Sequence, residues 1–441
     1  MSYYYNNNYH YNYSLPQKKE KGKEREKKIN SKFFTGETSV AGIAETYGSK
    51  NTKTKSKNDN NSSSLEFSYN KKNFLSKSVM PDYNIEDNLD KYDYKYNNNN
   101  NNNETYSLNR ELTSIITSTT GLTNLGNTCF MNTCLQNLIH SEDFINRLLS
   151  KKSSINHSTP ISYYFLNLCK ELASSTTSVS PTKLKEKFGS KHSLFRGYGQ
   201  NDTQEFCRVL LEDMNTELNE VKRKTPYVEL KTSGKSKLQC DKEFDENFRS
   251  RENSIIMDSF YGQIINIFTC KCGFKDYSFQ KVLDLPLLLQ KTNMTVTIDE
   301  LLNDYFEEEI IKFETKCENC GKKRDHRKEV KFSQPPNILI LSLQRINSRT
   351  KRKNSCMVDF PEVLNIQKYI DVDCKHYNEN EYILYGVGNH SGTINFGHYY
   401  AYIKLNDKSW YEFNDSYVGK KIGGISTCST TAYTLFYKKR K

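Results

Sequence analysis

The stretch GLTNLGNTCFMNTCLQNLI, residues 121–139, changes the character of the chain within a few positions. From Cys129 onward, Phe130, Met131, Cys134, Leu135, Leu138 and Ile139 recur at helical spacing, and Asn127 and Thr128 stand where a helix cap is expected. Cys129 falls in the first turn of that predicted helix, where unpaired backbone N–H groups and the helix dipole favour a thiolate. Asn124, on the loop entering the helix, is placed to offer an amide N–H to a developing oxyanion. Taken alone, Cys129 reads more readily as a small buried apolar residue than as a nucleophile, and the partners below reverse that.

Upstream the composition is different. Residues 1 to about 118 are rich in Asn, Lys, Ser and Tyr and contain an unbroken Asn run from Asn97 to Asn103. Such a segment has too little aliphatic surface to offset the entropy of ordering its backbone, so a disordered tail over 1–118 is expected. The folded unit is then 119–441. Charges of both signs are interspersed throughout, and the whole chain's net charge of +12 spread in this way lacks the dense basic stripe of a dedicated nucleic-acid binder.

Twelve cysteines suit a disulfide framework only in a small secreted domain. The N-terminus MSYYYNNNYH has neither a basic nor an apolar signal region, and no apolar run is long enough for a membrane span. The cysteines are therefore expected to be reduced, in the cytosol or nucleus, and to act as nucleophile, metal ligands or core residues.

Helical patterns continue through 163–171 and 203–218, whereas 221–255 is polar and aperiodic and reads as a loop or insertion. From about 258 the pattern turns strand-like: 259–269, 279–288, 327–333, 338–343, 382–388, 398–405 and 409–413. A helical half followed by a β-rich half predicts an α+β fold.

A cysteine nucleophile needs a base, and GHYYAYIKLNDKSWYEFND (397–415) supplies one. Asn406-Asp407 between two aromatic runs predicts a hairpin with a two-residue turn, so that His398 faces Asp415, or Asn414 after a one-residue slip. An imidazole held by an amide or carboxylate keeps one nitrogen for the thiol. Either residue satisfies that requirement.

These segments resemble the cysteine and histidine boxes of the ubiquitin-specific protease family. GYGQNDTQEFCRVLLEDM (197–214) looks like its Gln-Asp-Glu-Phe block, ILSLQR (340–345) like its central strand and AYTLFYKKR (432–440) like its last one. The resemblance covers about 121–438 in the family's order. It implies a papain-like fold of thumb, palm and fingers, and hydrolysis of the isopeptide bond after the C-terminal Gly of ubiquitin. Carried over, Cys129 is the nucleophile, His398 the base, Asn414 the third member with Asp415 beside it, and Asn124 the oxyanion residue. Asp202 and Glu205 match acidic positions that bind the basic ubiquitin tail, although both also suit a helix N-terminus.

The resemblance also places fingers at about 258–335, where paired cysteines hold structural zinc. CENCG (317–321) has the knuckle pattern with Cys317 and Cys320. TCKCGF (269–274) supplies Cys270 and Cys272 as C-x-C, a departure from the usual C-x-x-C. On a strand, alternate sulfurs would still face one ion, and His326 is a further candidate ligand. Expected partners are ubiquitin and ubiquitinated proteins, not membranes or nucleic acid, with targeting left to unidentified subunits, the tail or the insertion. An inactive ubiquitin-binding relative, a protease for another ubiquitin-like modifier and a zinc-ribbon nucleic-acid adaptor are the competing readings.

Overall fold

The computed structural model of the chain describes residues 102–440 except 291–293, 313–315, 348–351, 376 and 394–395. Helices α1 (Asn102–Ile116), α2 (Cys129–Ile139), α3 (Glu142–Ser150), α4 (Pro160–Ser174), α5 (Thr182–Lys191) and α6 (Thr203–Glu217) form the thumb. Every residue of α2 is buried, so the apolar stripe read from its sequence is only part of its contact surface.

The polar residues of α2 have a separate use. Asn132, Gln136 and His140 follow one another at intervals of four and therefore share one face. Asn132 donates to the Leu122 carbonyl (3.3 Å), Gln136 to that of Thr120 (3.1 Å), and His140 Nε2 lies 2.9 Å from that of Ser118. Alternate carbonyls of 118–122 are thus taken by successive turns of α2. The ladder satisfies the adjoining backbone carbonyls, while Asn132 Oδ1 and Gln136 Oε1 are buried without a hydrogen-bond partner among the described residues.

Two sheets complete the domain. The fingers consist of β1 (Gly262–Cys270), β2 (Lys275–Val282), β5 (Glu309–Ile311) and β6 (His326–Gln334), in the order β2-β1-β6-β5. The palm takes β3 (Leu285–Leu288), β7 (Ile338–Gln344), β12 (Glu381–Gly392), β13 (Gly397–Lys404), β14 (Trp410–Asn414), β15 (Tyr417–Lys420) and β17 (Ala432–Lys439), in the order β15-β14-β13-β12-β17-β7-β3, with β11 (Val363–Asn365) beside β12. Smaller pieces flank it: β4 (Thr295–Thr297), β10 (Met357–Asp359) and β16 (Cys428–Ser429) form one sheet, and β8 (Ile346–Asn347) pairs with β9 (Arg352–Lys353).

The continuous apolar run at 338–343 arises because the palm is covered on both faces. Ile338 and Ile340 pack among the thumb helices, while Leu339, Leu341 and Leu343 face a second layer that includes helix α9 (Ile298–Tyr305). Each side chain so buried contributes about 1.5–3 kcal/mol. Close approach of α2 to β12 depends on glycine at two positions. A Cβ on Gly386 would lie 2.2 Å from Asn137 Oδ1 of α2, and one on Gly388 would lie 3.3 Å from Thr133 Cγ2 of α2 and 2.3 Å from Thr434 Oγ1 of the neighbouring β17.

The structure corrects several expectations. Order begins before residue 118: Ile115 and Ile116 of α1 are buried and Leu108 and Leu112 pack on the thumb core. The Asn run masked a helix whose apolar residues lie at its C-terminal end; residues 1–101 lie outside the described residues. The segment 221–255 is not simply a loop, since it contains α7 (Lys237–Arg249), opened by a capping box between Ser236 and Gln239. Cys240 and Phe244 of α7 pack on Ile265, Ile267 and Phe279 of the fingers. The first finger strand starts at Gly262 rather than 259, because Ile255–Phe260 forms helix α8 capped by Ser254. Among the described residues, no helix is long and apolar enough to cross a membrane.

Candidate active site

Cys129 opens α2 and is buried, with the ring of the next residue, Phe130, held edge-on by Phe206 at 5.6 Å. Thr128 occupies the cap position but makes no side-chain capping bond. Its hydroxyl instead accepts from the Leu125 N–H (2.8 Å) and lies 3.3 Å from Asn124 Oδ1. Asn124 Oδ1 also accepts from the N–H groups of Gly126 (2.9 Å) and Thr128 (3.1 Å), so this side chain organises the whole loop before the thiol. Gly126 and Asn127 both take positive φ, 96° and 54°, a conformation that glycine and asparagine tolerate best.

His398 lies on β13. Its Nε2 is 2.7 Å from Asn414 Oδ1, which leaves Nδ1 for Cys129, the group that acts most strongly on the imidazole. The bond to Cys129 and then that to Asn414 lift the imidazole from its ordinary value to about 9, against the opposing effect of burial. A pH consequence follows. The imidazolium is fully present at neutral pH and is lost as pH rises through about 9, so a reaction needing it is expected to decline on the alkaline side near that value. In Asn414→Ala one of the two hydrogen bonds that raise the pKa is gone, and the alkaline limb of the rate–pH profile should move to lower pH. An unmoved limb would show that Asn414 does not act on the imidazole.

The route by which Asn414 reaches His398 differs from the expected one. The hairpin pairs Lys404 with Trp410 and Ala401 with Phe413, one step out of register with the alignment that set His398 opposite Asp415 and two steps from the one that set it opposite Asn414. The turn contains three residues, Asn406 to Lys408. Lys408 takes φ 60°, and Asp407 Oδ1 accepts from the Ser409 N–H at 2.9 Å. His398 and Asn414 are consequently diagonal neighbours on one sheet face rather than opposite partners. Asp415 is not at the imidazole nitrogen. It takes φ 51° in the tight turn between β14 and β15, and its carboxylate accepts from Asn124 Nδ2 and Asn132 Nδ2, both at 2.8 Å. Its carbonyl accepts from Leu122 N–H (2.8 Å), and Gly121 fits beneath the turn, where a Cβ would sit 2.5 Å from the Ser416 oxygen.

Asp202 caps α6, accepting from the N–H groups of Gln204 (2.7 Å) and Glu205 (3.2 Å), and its other oxygen accepts from the Tyr433 hydroxyl. Glu205, one turn into the helix, is exposed. Asn132 and Tyr433 were not anticipated as neighbours of the site. The four-residue spacing of Asn132 and Gln136 was a readable signal; nothing local marks Tyr433.

At the far end of the fingers, Cys270, Cys272, Cys317 and Cys320 place their sulfurs within 4.8 Å of one another, with 4.0 Å between Cys270 and Cys320 and 3.7 Å between Cys272 and Cys317. Tetrahedral zinc with Zn–S near 2.3 Å requires sulfurs about 3.8 Å apart, so the cluster fits that ion. The C-x-C pair does not lie along a strand as expected. Cys270 ends β1, and Cys272 stands in a turn closed by the Gly273 N–H donating to the Cys270 carbonyl (2.8 Å). His326, paired across from Cys270 on β6, is outside the cluster, with Nδ1 2.9 Å from the Arg324 carbonyl. Cys134, Cys169, Cys207 and Cys240 are buried among apolar residues.

Fold and site together define a class: a papain-like α+β chain whose thiol, imidazole and amide meet between a helical thumb and a sheet palm. The sequence profile of the ubiquitin carboxyl-terminal hydrolase family matches residues 120–437, and the chain belongs to that family. Relatives include ubiquitin carboxyl-terminal hydrolase Usp2 of Drosophila melanogaster, 31% identical over 332 residues, which cover 72% of this chain and 34% of that protein. Ubiquitin carboxyl-terminal hydrolase 2 of Gallus gallus is 32% identical over 340 residues, covering 74% of this chain and 94% of the relative. The chain spans about a third of the length of the Drosophila protein and 39% of ubiquitin carboxyl-terminal hydrolase 4 of Saccharomyces cerevisiae. Among solved structures, the SAGA Ubp8/Sgf11/Sus1/Sgf73 DUB module bound to ubiquitin aldehyde contains a chain similar to this one. That match has a TM-score of 0.57 at 26% identity and covers 73% of this chain and 70% of that one.

Proposed function

We propose that this chain is a thiol-dependent deubiquitinase that hydrolyses the bond after the C-terminal Gly of ubiquitin. The observation that carries the reading is the contact of His398 with both Cys129 and Asn414 in a chain of this family. Related solved chains are bound to monoubiquitin or ubiquitin aldehyde, which supports ubiquitin as the partner.

In this mechanism the Cys129 thiolate attacks the glycyl carbonyl. Asn124 and the N–H groups at the start of α2 receive the oxyanion, and His398 gives its proton to the departing lysine amine. Water, deprotonated by His398, then releases the thioester. Asn414 holds the imidazole in the reactive orientation. Glu205, exposed at the start of α6, is the carboxylate free to meet the basic ubiquitin tail, while Asp202 is occupied as helix cap and Tyr433 acceptor. Zinc held by Cys270, Cys272, Cys317 and Cys320 serves structure only, since four protein ligands leave no open position. The free thiols suit the cytosol or nucleus.

A ubiquitin carrying a C-terminal thiol-reactive group provides the test. The chain should form a covalent adduct that is absent in Cys129→Ala; folded chain that forms none with ubiquitin removes the reading. Probes built on other ubiquitin-like modifiers, run alongside, read out a different modifier as the substrate.

A further inference from the structure

Cys129 and His398 come from different layers, and each lies at the end of its element. Cys129 follows the two positive-φ residues Gly126 and Asn127, the second of which carries a Cβ and is held there at a cost. His398 lies on the part of β13 that its ladder with β14 does not reach, since that ladder covers only Ala401 to Lys404. On that side, 397–400 have no strand partner among the described residues.

Both ends are tied to the same short segment. Asn127 Nδ2 donates to the Tyr198 carbonyl at 2.7 Å, and Gln200 Nε2 donates to the Gly397 carbonyl, next to His398, at 3.1 Å. The Tyr198 ring lies against Gly126, where a Cβ would be 3.0 Å from Cδ1. Three residues on, Thr203 Oγ1 donates to the Phe130 carbonyl at 2.8 Å, and Asp202 is fixed as helix cap and as acceptor for Tyr433. The segment therefore touches the loop before the thiol, the helix after it, the strand of the base and the palm.

We propose that residues 198–203 act as the spacer between thiol and imidazole, with Asn127 and Gln200 as its positioning residues. The inference rests on Cys129 and His398 being nucleophile and base. One hydrogen bond lost at an exposed position corresponds to about a two- to tenfold change. Gln200→Met keeps the length and removes the donor; Asn127→Gly keeps the backbone conformation and removes the amide. Each should lower kcat on a fluorogenic ubiquitin substrate about fivefold, with KM within about twofold and an unchanged thermal midpoint.

A second measurement does not involve ubiquitin: the rate of Cys129 alkylation by iodoacetamide against pH, followed by mass mapping of the Cys129 peptide. Both variants should slow alkylation of Cys129 and shift its pH profile relative to the parent chain. Unchanged kcat and an unchanged profile in both variants would overturn the spacer, and so would a rise in KM alone, which would make the segment a substrate contact. If the parent chain fails on ubiquitin yet shows the alkylation profile, the ubiquitin reading fails while the spacer is still decided by the variants.

Discussion

Asp415→Ala is expected to lower kcat by about 10²–10³, with little change in KM, although this carboxylate does not touch the imidazole nitrogens. The Asn124 amide has two hydrogens, and Asp415 accepts one of them at 2.8 Å. That bond fixes the plane of the amide and directs its second hydrogen, the donor assigned to the oxyanion. The same carboxylate accepts from Asn132 at 2.8 Å, on the turn of α2 that follows Cys129. Its removal frees both amides at once. Loss of a single oxyanion donor costs about 2.7–4 kcal/mol of transition-state stabilisation, which sets the size of the effect. Because Asp415 takes φ 51°, alanine there also strains the backbone. Asp415→Asn separates the two causes, since asparagine tolerates that conformation but offers an amide in place of a full carboxylate. Steady-state kinetics on both variants are the check. If both variants keep full kcat, or change only KM, residue 415 does not work through Asn124, whereas loss in Asp415→Ala alone would show that one acceptor oxygen on Asn124 is enough.

The second large effect concerns the fingers. The purified chain is expected to carry one zinc ion, and Cys272→Ser combined with Cys317→Ser should lose it. Any ligand bound only by the folded state stabilises by mass action, by about 4 kcal/mol when it is present at a thousand times its Kd. The midpoint of thermal unfolding should therefore fall on the order of 5–10 °C in the double variant or after chelation. The loss should be local, because β1 and β6 pair from Gln263 to Thr269 outside the cluster and α7 packs on the sheet. Elemental analysis and hydrogen exchange of 270–274 and 317–321 read this directly. A double variant with full zinc content would place the metal elsewhere.

Much of the site was legible because its residues lie in long motifs with unmistakable chemistry: a cysteine at a helix start, and a histidine and an amide around one hairpin. The register was not. It depended on Lys408 adopting a left-handed conformation, and lysine gives no local sign of doing so, so a two-residue turn was the natural reading of Asn406-Asp407. Helix α7 did leave a signal, in Ser236 and Gln239 at capping-box spacing followed by Cys240, Phe244 and Phe248 at intervals of four, but the surrounding lysines obscured it. Helix α1 was hidden by the Asn run that begins it. The tie between Asp202 and Tyr433 spans 231 residues, and only the assembled fold brings them together.

The ladder of Asn132, Gln136 and His140 has a mechanical consequence. The extended stretch 118–122 runs alongside α2, and its three rungs lie side by side, so tension along that stretch loads them in shear and together. A pull on α1 is then shared among all three bonds before the segment can peel from the helix. Helix α1 is thereby joined to the helix that begins with Cys129 through bonds that load together.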